Sequence, residues 1–174
     1  MKQSFIFLDV DGPINPDINK IKEARAGHPT SSYHIRLPNK QLQLLQYIVQ
    51  STSSDIVLSS KWRLVDLSTT YFTKGEIIKS PARINLEKQL KEYNLSIYDE
   101  TPFMGNNRGL EIKTWLDRFS YVNGYDPAYV IIDDNIDNIV SLHRGHIVNC
   151  NGYRGIGFKE AAIAINLICR QLKV

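Results

Sequence analysis

Cysteine is nearly absent from this chain. Cys150 and Cys169 are the only two in 174 residues, and neither sits at metal-ligand spacing. A disulfide framework and a thiolate zinc site are thereby excluded, and both thiols are expected reduced and partly buried. Long apolar runs are missing too. The one near the N-terminus, Phe5–Leu8, is too short for a signal peptide or a membrane span, so an intracellular, cytoplasmic protein is expected. No G-x-x-x-x-G-K-[ST] occurs, which rules out a nucleotide-binding P-loop. The net charge of +3 comes without a long basic run carrying interleaved aromatics, so charge alone gives a solvated surface rather than a nucleic-acid footprint. Internal repeats, low-complexity tracts and linkers are also lacking. What remains, 43% apolar and 22% charged residues, is enough for one globular domain over 1–174 with a sizeable core.

The chain is organised around Phe5-Ile6-Phe7-Leu8-Asp9-Val10-Asp11-Gly12. An apolar strand over 4–9 ends in two carboxylates with one residue between them. Strand side chains alternate faces, so Asp9 and Asp11 converge only where the strand gives way to a loop. Carboxylates held that close repel unless a cation lies between them, and Mg²⁺ is the simplest such cation. Residues 13–37, interrupted by Pro13, Pro16, Gly27 and Pro29, are expected to be a long loop or flap with local helix at 18–25, placed to cover the site. A helix opens at Pro38-Asn39-Lys40. Asp55–Ser60 is a second apolar strand, followed by helix over Trp62–Phe72 stopping near Gly75. Further helices are expected over 83–94, 109–120, 136–142 and 158–172. Short strands are expected at Ile97-Tyr98 and His146–Asn149, and a third strong strand at Tyr129–Asp134. Strands alternating with helices predict an α/β fold with a parallel sheet covered on both faces.

In such a sheet, ligands bind beyond the carboxyl ends of the strands. All three strong strands end in polar groups that a sheet core does not need: Asp9 and Asp11, Ser59 and Ser60, Asp133 and Asp134. A helix that precedes a strand starts at this same rim, which places Arg108 there. Lys113 lies about 7 Å further along the axis at ~1.5 Å per residue, with a side chain long enough to reach back. Phosphoryl transfer uses this set. Carboxylates hold Mg²⁺, one carboxylate attacks phosphorus, a second moves the proton, and a hydroxyl and a cation bind the phosphate oxygens.

With FLDVDG, IVLSS, RGLEIK and YVIIDD in this order, the chain resembles the haloacid dehalogenase-like (HAD) superfamily of phosphatases over most of its length. RGLEIKTWLDRF followed by YVIIDDNID is also similar to a small HAD group related to domains of RNA-repair proteins. The resemblance implies a Rossmann-like three-layer sandwich with a central parallel sheet and no large cap domain. It implies Asp9 as nucleophile and Asp11 as general acid/base. Mg²⁺ would bind Asp9, the backbone carbonyl of Asp11, and Asp133 or Asp134, with Asp134 preferred. Asp137 either steadies the site or is a helix N-terminal charge. The phosphate hydroxyl is Ser59, directly after the apolar run, or Ser60, placed by Trp62. The phosphate cation is Arg108, favoured by position and bidentate geometry, or Lys113, favoured by residue type. With no room for a cap between the motifs the site should be open. That openness, the mild basicity and the RNA-repair resemblance point to polynucleotide end phosphates as substrate.

Three rivals are weaker. A calcium loop starting at Asp9 would need an oxygen ligand at 13, glycine at 14 and glutamate at 20, whereas the chain has Pro13, Ile14 and Lys20. A receiver domain would end an inner strand with its acceptor aspartate, whereas Asp55 precedes its strand. A degenerate HAD domain that binds partners without catalysis would not require all four motifs. His143 and His146, at helical spacing with no third ligand nearby, are read as surface or packing residues.

Overall fold

The computed structural model describes residues 2–64 and 79–173. Five strands form one all-parallel sheet in the order β3-β2-β1-β4-β5. They are β1 (Ser4–Leu8), β2 (Asp55–Leu58), β3 (Ile97–Glu100), β4 (Ala128–Asp133) and β5 (Ile147–Asn149). The helices are α1 (Asp17–Arg25), α2 (Asn39–Thr52), α3 (Pro81–Lys91), α4 (Arg108–Asn123), α5 (Val140–His143) and α6 (Phe158–Leu172). This is the expected Rossmann-like sandwich, and no separate cap domain stands over the strand ends among the described residues.

The local causes are conventional. All of β1 is buried, as suits a central strand covered on both faces. In α6, Ala161, Ala164 and Ile168 recur at helical spacing and form its buried stripe. The N-cap of α3 is Ser80, whose hydroxyl accepts from Arg83 N at 3.1 Å, with Pro81 in the first turn. The N-cap of α4 is Asn107, which accepts from Leu110 N, and Gly124 at φ 74° ends that helix.

Strand parity sorts the core into two layers. Ile6, Leu8, Ile56, Leu58, Val130 and Ile132 pack with α2, α3 and α6. Phe5, Phe7, Val57 and Ile131 pack with Ile112, Trp115 and Phe119 of α4. In register, Leu8 lies opposite Leu58 and Ile132. One step further along, Asp9, Ser59 and Asp133 have the parity of Phe7, Val57 and Ile131, so they belong to the side that α4 covers.

Of the helix expected over Trp62–Phe72, the described part is a 3-10 turn at Lys61–Arg63, and the chain is already extended at Leu64. The remainder, with its expected stop near Gly75, lies outside the described residues. The segment 13–37 carries α1 and is fastened at its far end. Asn85 Nδ2 donates to Ser32 O and Ile35 O, Leu37 N donates to Gln89 Oε1, and Ile35 and Leu37 are core residues. No described helix is long and apolar enough to cross a membrane.

Candidate active site

A cavity of about 400 Å³ opens beyond the ends of β1, β2 and β4. Asp9, Asp11, Ser60, Arg108, Asp133 and Asp134 line it, together with Asp17, Lys20, Lys61, Asn106, Asn135 and Asn138. Three of the sequence-predicted carboxylates converge. One oxygen each from Asp9, Asp133 and Asp134 lies within 4.8 Å of the others. Asp9 and Asp133 are nearly inaccessible and Asp134 is half-buried.

Arg108, the first residue of α4, closes this group. Its Nη1 lies 2.6 Å from Asp133 Oδ2 and 3.1 Å from Asp9 Oδ1. Burial pushes the Asp9 carboxyl above its ordinary range, against the Arg108 charge and the Ser60 hydroxyl, which hold it down. Asp133 is raised to about 6, by burial first and the Asp9 charge second, with Arg108 opposing. Asp134 moves the same way for the same two causes. Carboxyls that resist ionising together would be stabilised in their charged forms by a divalent cation between them. The donor set is all carboxylate oxygen, which suits Mg²⁺ rather than a softer metal.

Glycine makes room for the third carboxylate. A Cβ on Gly12 would stand 2.3 Å from Asp134 Cγ, and one on Gly152 would stand 2.5 Å from Asp134 Oδ2. Gly12 also has φ +90°, where a side chain is strained. The loops after β1 and β5 therefore hold the Asp134 carboxyl between two bare backbones.

Asp11 stands apart from the three converging carboxylates. Its Oδ1 accepts from Asn15 Nδ2 at 3.0 Å and lies 3.2 Å from Lys20 Nζ. Its Oδ2 accepts from Trp62 Nε1 at 2.8 Å. The pair that first suggests a metal site is thus divided, with Asp9 in the cluster and the Asp11 side chain outside it.

Other expectations sort as follows. Of the two hydroxyls, Ser60 lines the cavity and accepts from Trp62 N at 3.4 Å. Ser59 is buried, with no hydrogen-bond partner among the described residues. Arg108 is at the site and Lys113 is not. Lys113 Nζ pairs with Asp117 Oδ2 at 2.5 Å, and Lys113 borders a separate hollow with Tyr129 and His143. Five residues along a helix rotate a side chain by about 140°, which carries it off the face that Arg108 presents. Asp137 is exposed and does not line the cavity. From segment 13–37 only Asp17 and Lys20 reach it. His143 is a packing residue: Nε2 donates to Gly109 O at 2.8 Å, and Nδ1 accepts from the Tyr129 hydroxyl at 3.1 Å.

The model of one protein family, the HAD domain in Swiss Army Knife RNA repair proteins, matches residues 5–161. The chain belongs to that family. No curated protein matches it. The matched span of this HAD domain runs from β1 into α6 and so includes every residue of the cavity.

Several residues that set the carboxylates of this HAD domain in place were not legible in its sequence. Lys20 and Trp62 act on Asp11 through loop paths that no spacing rule gives. Gly152 follows a short edge strand whose proximity to Asp134 depends on the sheet order. Asn15, four residues after Asp11, carried the one local signal, since short polar side chains in turns bond to nearby groups.

Proposed function

We propose that this chain is a Mg²⁺-dependent phosphohydrolase working through an aspartyl-phosphate, with a polynucleotide end phosphate as substrate. The observation that carries the reading is the division of labour among the carboxylates. Asp9, Asp133 and Asp134 converge beside Arg108 and Ser60, while Asp11 is held outside them by three donors of its own.

In this reading the Asp9 carboxylate attacks phosphorus. The P–O bond to the leaving alcohol breaks, and its electron pair goes to that oxygen, which takes the Asp11 proton. Asp11, now a carboxylate, then removes a proton from water as that water attacks the phospho-aspartate. The P–O bond to Asp9 breaks and inorganic phosphate leaves, with both side chains restored. Asp9, Asp133 and Asp134 would hold Mg²⁺, along with the Asp11 backbone carbonyl, and the ion would neutralise phosphate charge. Ser60 donates to a phosphate oxygen. Arg108 uses only Nη1 on the carboxylates, so its other N–H groups remain for phosphate. The exposed rim formed by Lys61, Asn106, Asn135 and Asn138 suits a large, polar, negatively charged substrate better than a small one needing enclosure.

Hydrolysis of p-nitrophenyl phosphate should require Mg²⁺ and be lost in Asp9→Asn. A folded, Mg²⁺-binding protein inert on a broad phosphate panel would sink the reading. For the substrate, rates on 3′- and 5′-phosphorylated oligonucleotides should exceed those on mononucleotides and sugar phosphates, and the reverse order would overturn the polynucleotide assignment.

A further inference from the structure

The geometry points to Trp62 as the positioning residue for Asp11, and to Asp11 Oδ2 as the oxygen that carries the transferred proton. The inference rests on the phosphatase reading above. Each carboxyl oxygen offers two lone pairs. Oδ1 accepts from Asn15 Nδ2 at 3.0 Å and pairs with the Lys20 ammonium at 3.2 Å, so this oxygen already faces a donor and a positive charge. Oδ2 meets one donor among the described residues, Trp62 Nε1 at 2.8 Å, and keeps a place for a proton. Indole nitrogen can only donate, so this contact fixes which oxygen faces it in either charge state.

Trp62 is itself firmly set. It is almost completely buried in the turn Lys61–Arg63 that leaves β2. Arg63 fastens that turn from below: Nη1 donates to Ser60 O at 2.7 Å, Nε to Thr101 O at 2.9 Å and Nη2 to Glu111 Oε2 at 2.7 Å. The Trp62 carbonyl accepts from the Ser80 hydroxyl. One short turn therefore ties the Ser60 hydroxyl and the aim of Asp11 to the same rigid backbone. The proton then passes from Oδ2 to the ester oxygen as the P–O bond breaks and that oxygen takes the bonding electrons.

Trp62→Phe keeps an aromatic ring and removes the donor. The test compares kcat/KM on p-nitrophenyl phosphate with kcat/KM on β-glycerophosphate, because nitrophenolate leaves without a proton and an alkoxide does not. The alkyl ester should lose on the order of tenfold or more while the aryl ester stays nearly unchanged. Equal loss on both esters, or no loss, would overturn the assignment. A second readout needs no turnover. The chain has two tryptophans, and Trp115 Nε1 donates to Asp99 Oδ2 at 2.7 Å as an internal control. In ¹H–¹⁵N spectra Asp11→Ala should move the Trp62 indole signal and leave that of Trp115 in place. An unmoved Trp62 signal would sink the contact itself. Failure of the phosphatase reading is distinct, since the unaltered protein would then hydrolyse neither ester, and the positioning role of Trp62 would fall with it.

Discussion

Arg63 donates to the Glu111 carboxylate at 2.7 Å, and both side chains are only 3% exposed. The pair joins the turn after β2 to the first turn of α4, the two elements that carry Ser60, Trp62 and Arg108. Glu111 Oε1 also accepts from Met104 N at 2.9 Å, so the same carboxylate steadies the loop leading into α4. Removing one partner leaves a buried charge without compensation. Glu111→Gln should therefore destabilise the fold by about 3–5 kcal/mol, read as a lower urea midpoint with an unchanged slope. A loss like that at a surface pair, below about 1 kcal/mol, would show that the turn is held by its backbone bonds instead.

Arg108 brings a positive charge to the carboxylate cluster, and its removal should split two measurements. Arg108→Ala takes a positive charge from beside Asp9 and Asp133. Mg²⁺ affinity, read by isothermal titration, should rise because the ion no longer meets a competing charge. Turnover should fall on the order of a hundredfold because a phosphate-binding donor is gone. Parallel loss of affinity and turnover would mean that Arg108 chiefly orients the carboxylates.

His143 gives a pH dependence of definite sign. Burial, with His146 and Lys113 nearby, lowers its pKa below the ordinary 6.5, against the Gly109 carbonyl that accepts from it. The folded state thus prefers neutral imidazole, and the unfolded chain binds the proton first. The stability His143 contributes is present above about pH 6.5 and is lost as pH falls through the folded pKa. His143→Gln should be destabilised near pH 8, with the gap to the unaltered protein closing towards pH 5 in urea titrations. A gap independent of pH would mean that folding leaves the pKa of this histidine unchanged.

The strands and helices were legible because apolar periodicity is a local property. The edges of α1, α4 and α6 fall within a few residues of their expected positions, and the three strands that end in polar groups were visible as such. Asp9, Arg108, Asp133 and Asp134 could be named because they stand at the end of a strand, one step beyond it, or at the first residue of a helix, where topology alone decides location. Ser60 could not be separated from Ser59 in sequence, since the choice depends on where β2 stops and the 3-10 turn begins. Lys113 is the alternative by residue type, and helical phase places it on a different face of α4 from Arg108. The contacts of Trp62 with Asp11 and of Arg63 with Thr101 and Glu111 lay beyond reach because these partners are tens of residues away, and that of Lys20 with Asp11 because it depends on how the loop after β1 folds back.

The two glycines around Asp134 have a consequence for the sheet itself. β4 lies between β1 and β5, Gly12 follows β1, and Gly152 follows β5. Each meets the same carboxylate with backbone alone. A slide of β4 against either neighbour would drive the Asp134 carboxylate into main chain, with no side chain on either glycine to yield. The acidic centre thus doubles as a gauge of strand alignment: the Asp134 carboxylate fits only while the three strands keep their register, and a ligand that grips it should be felt as resistance to shear between them.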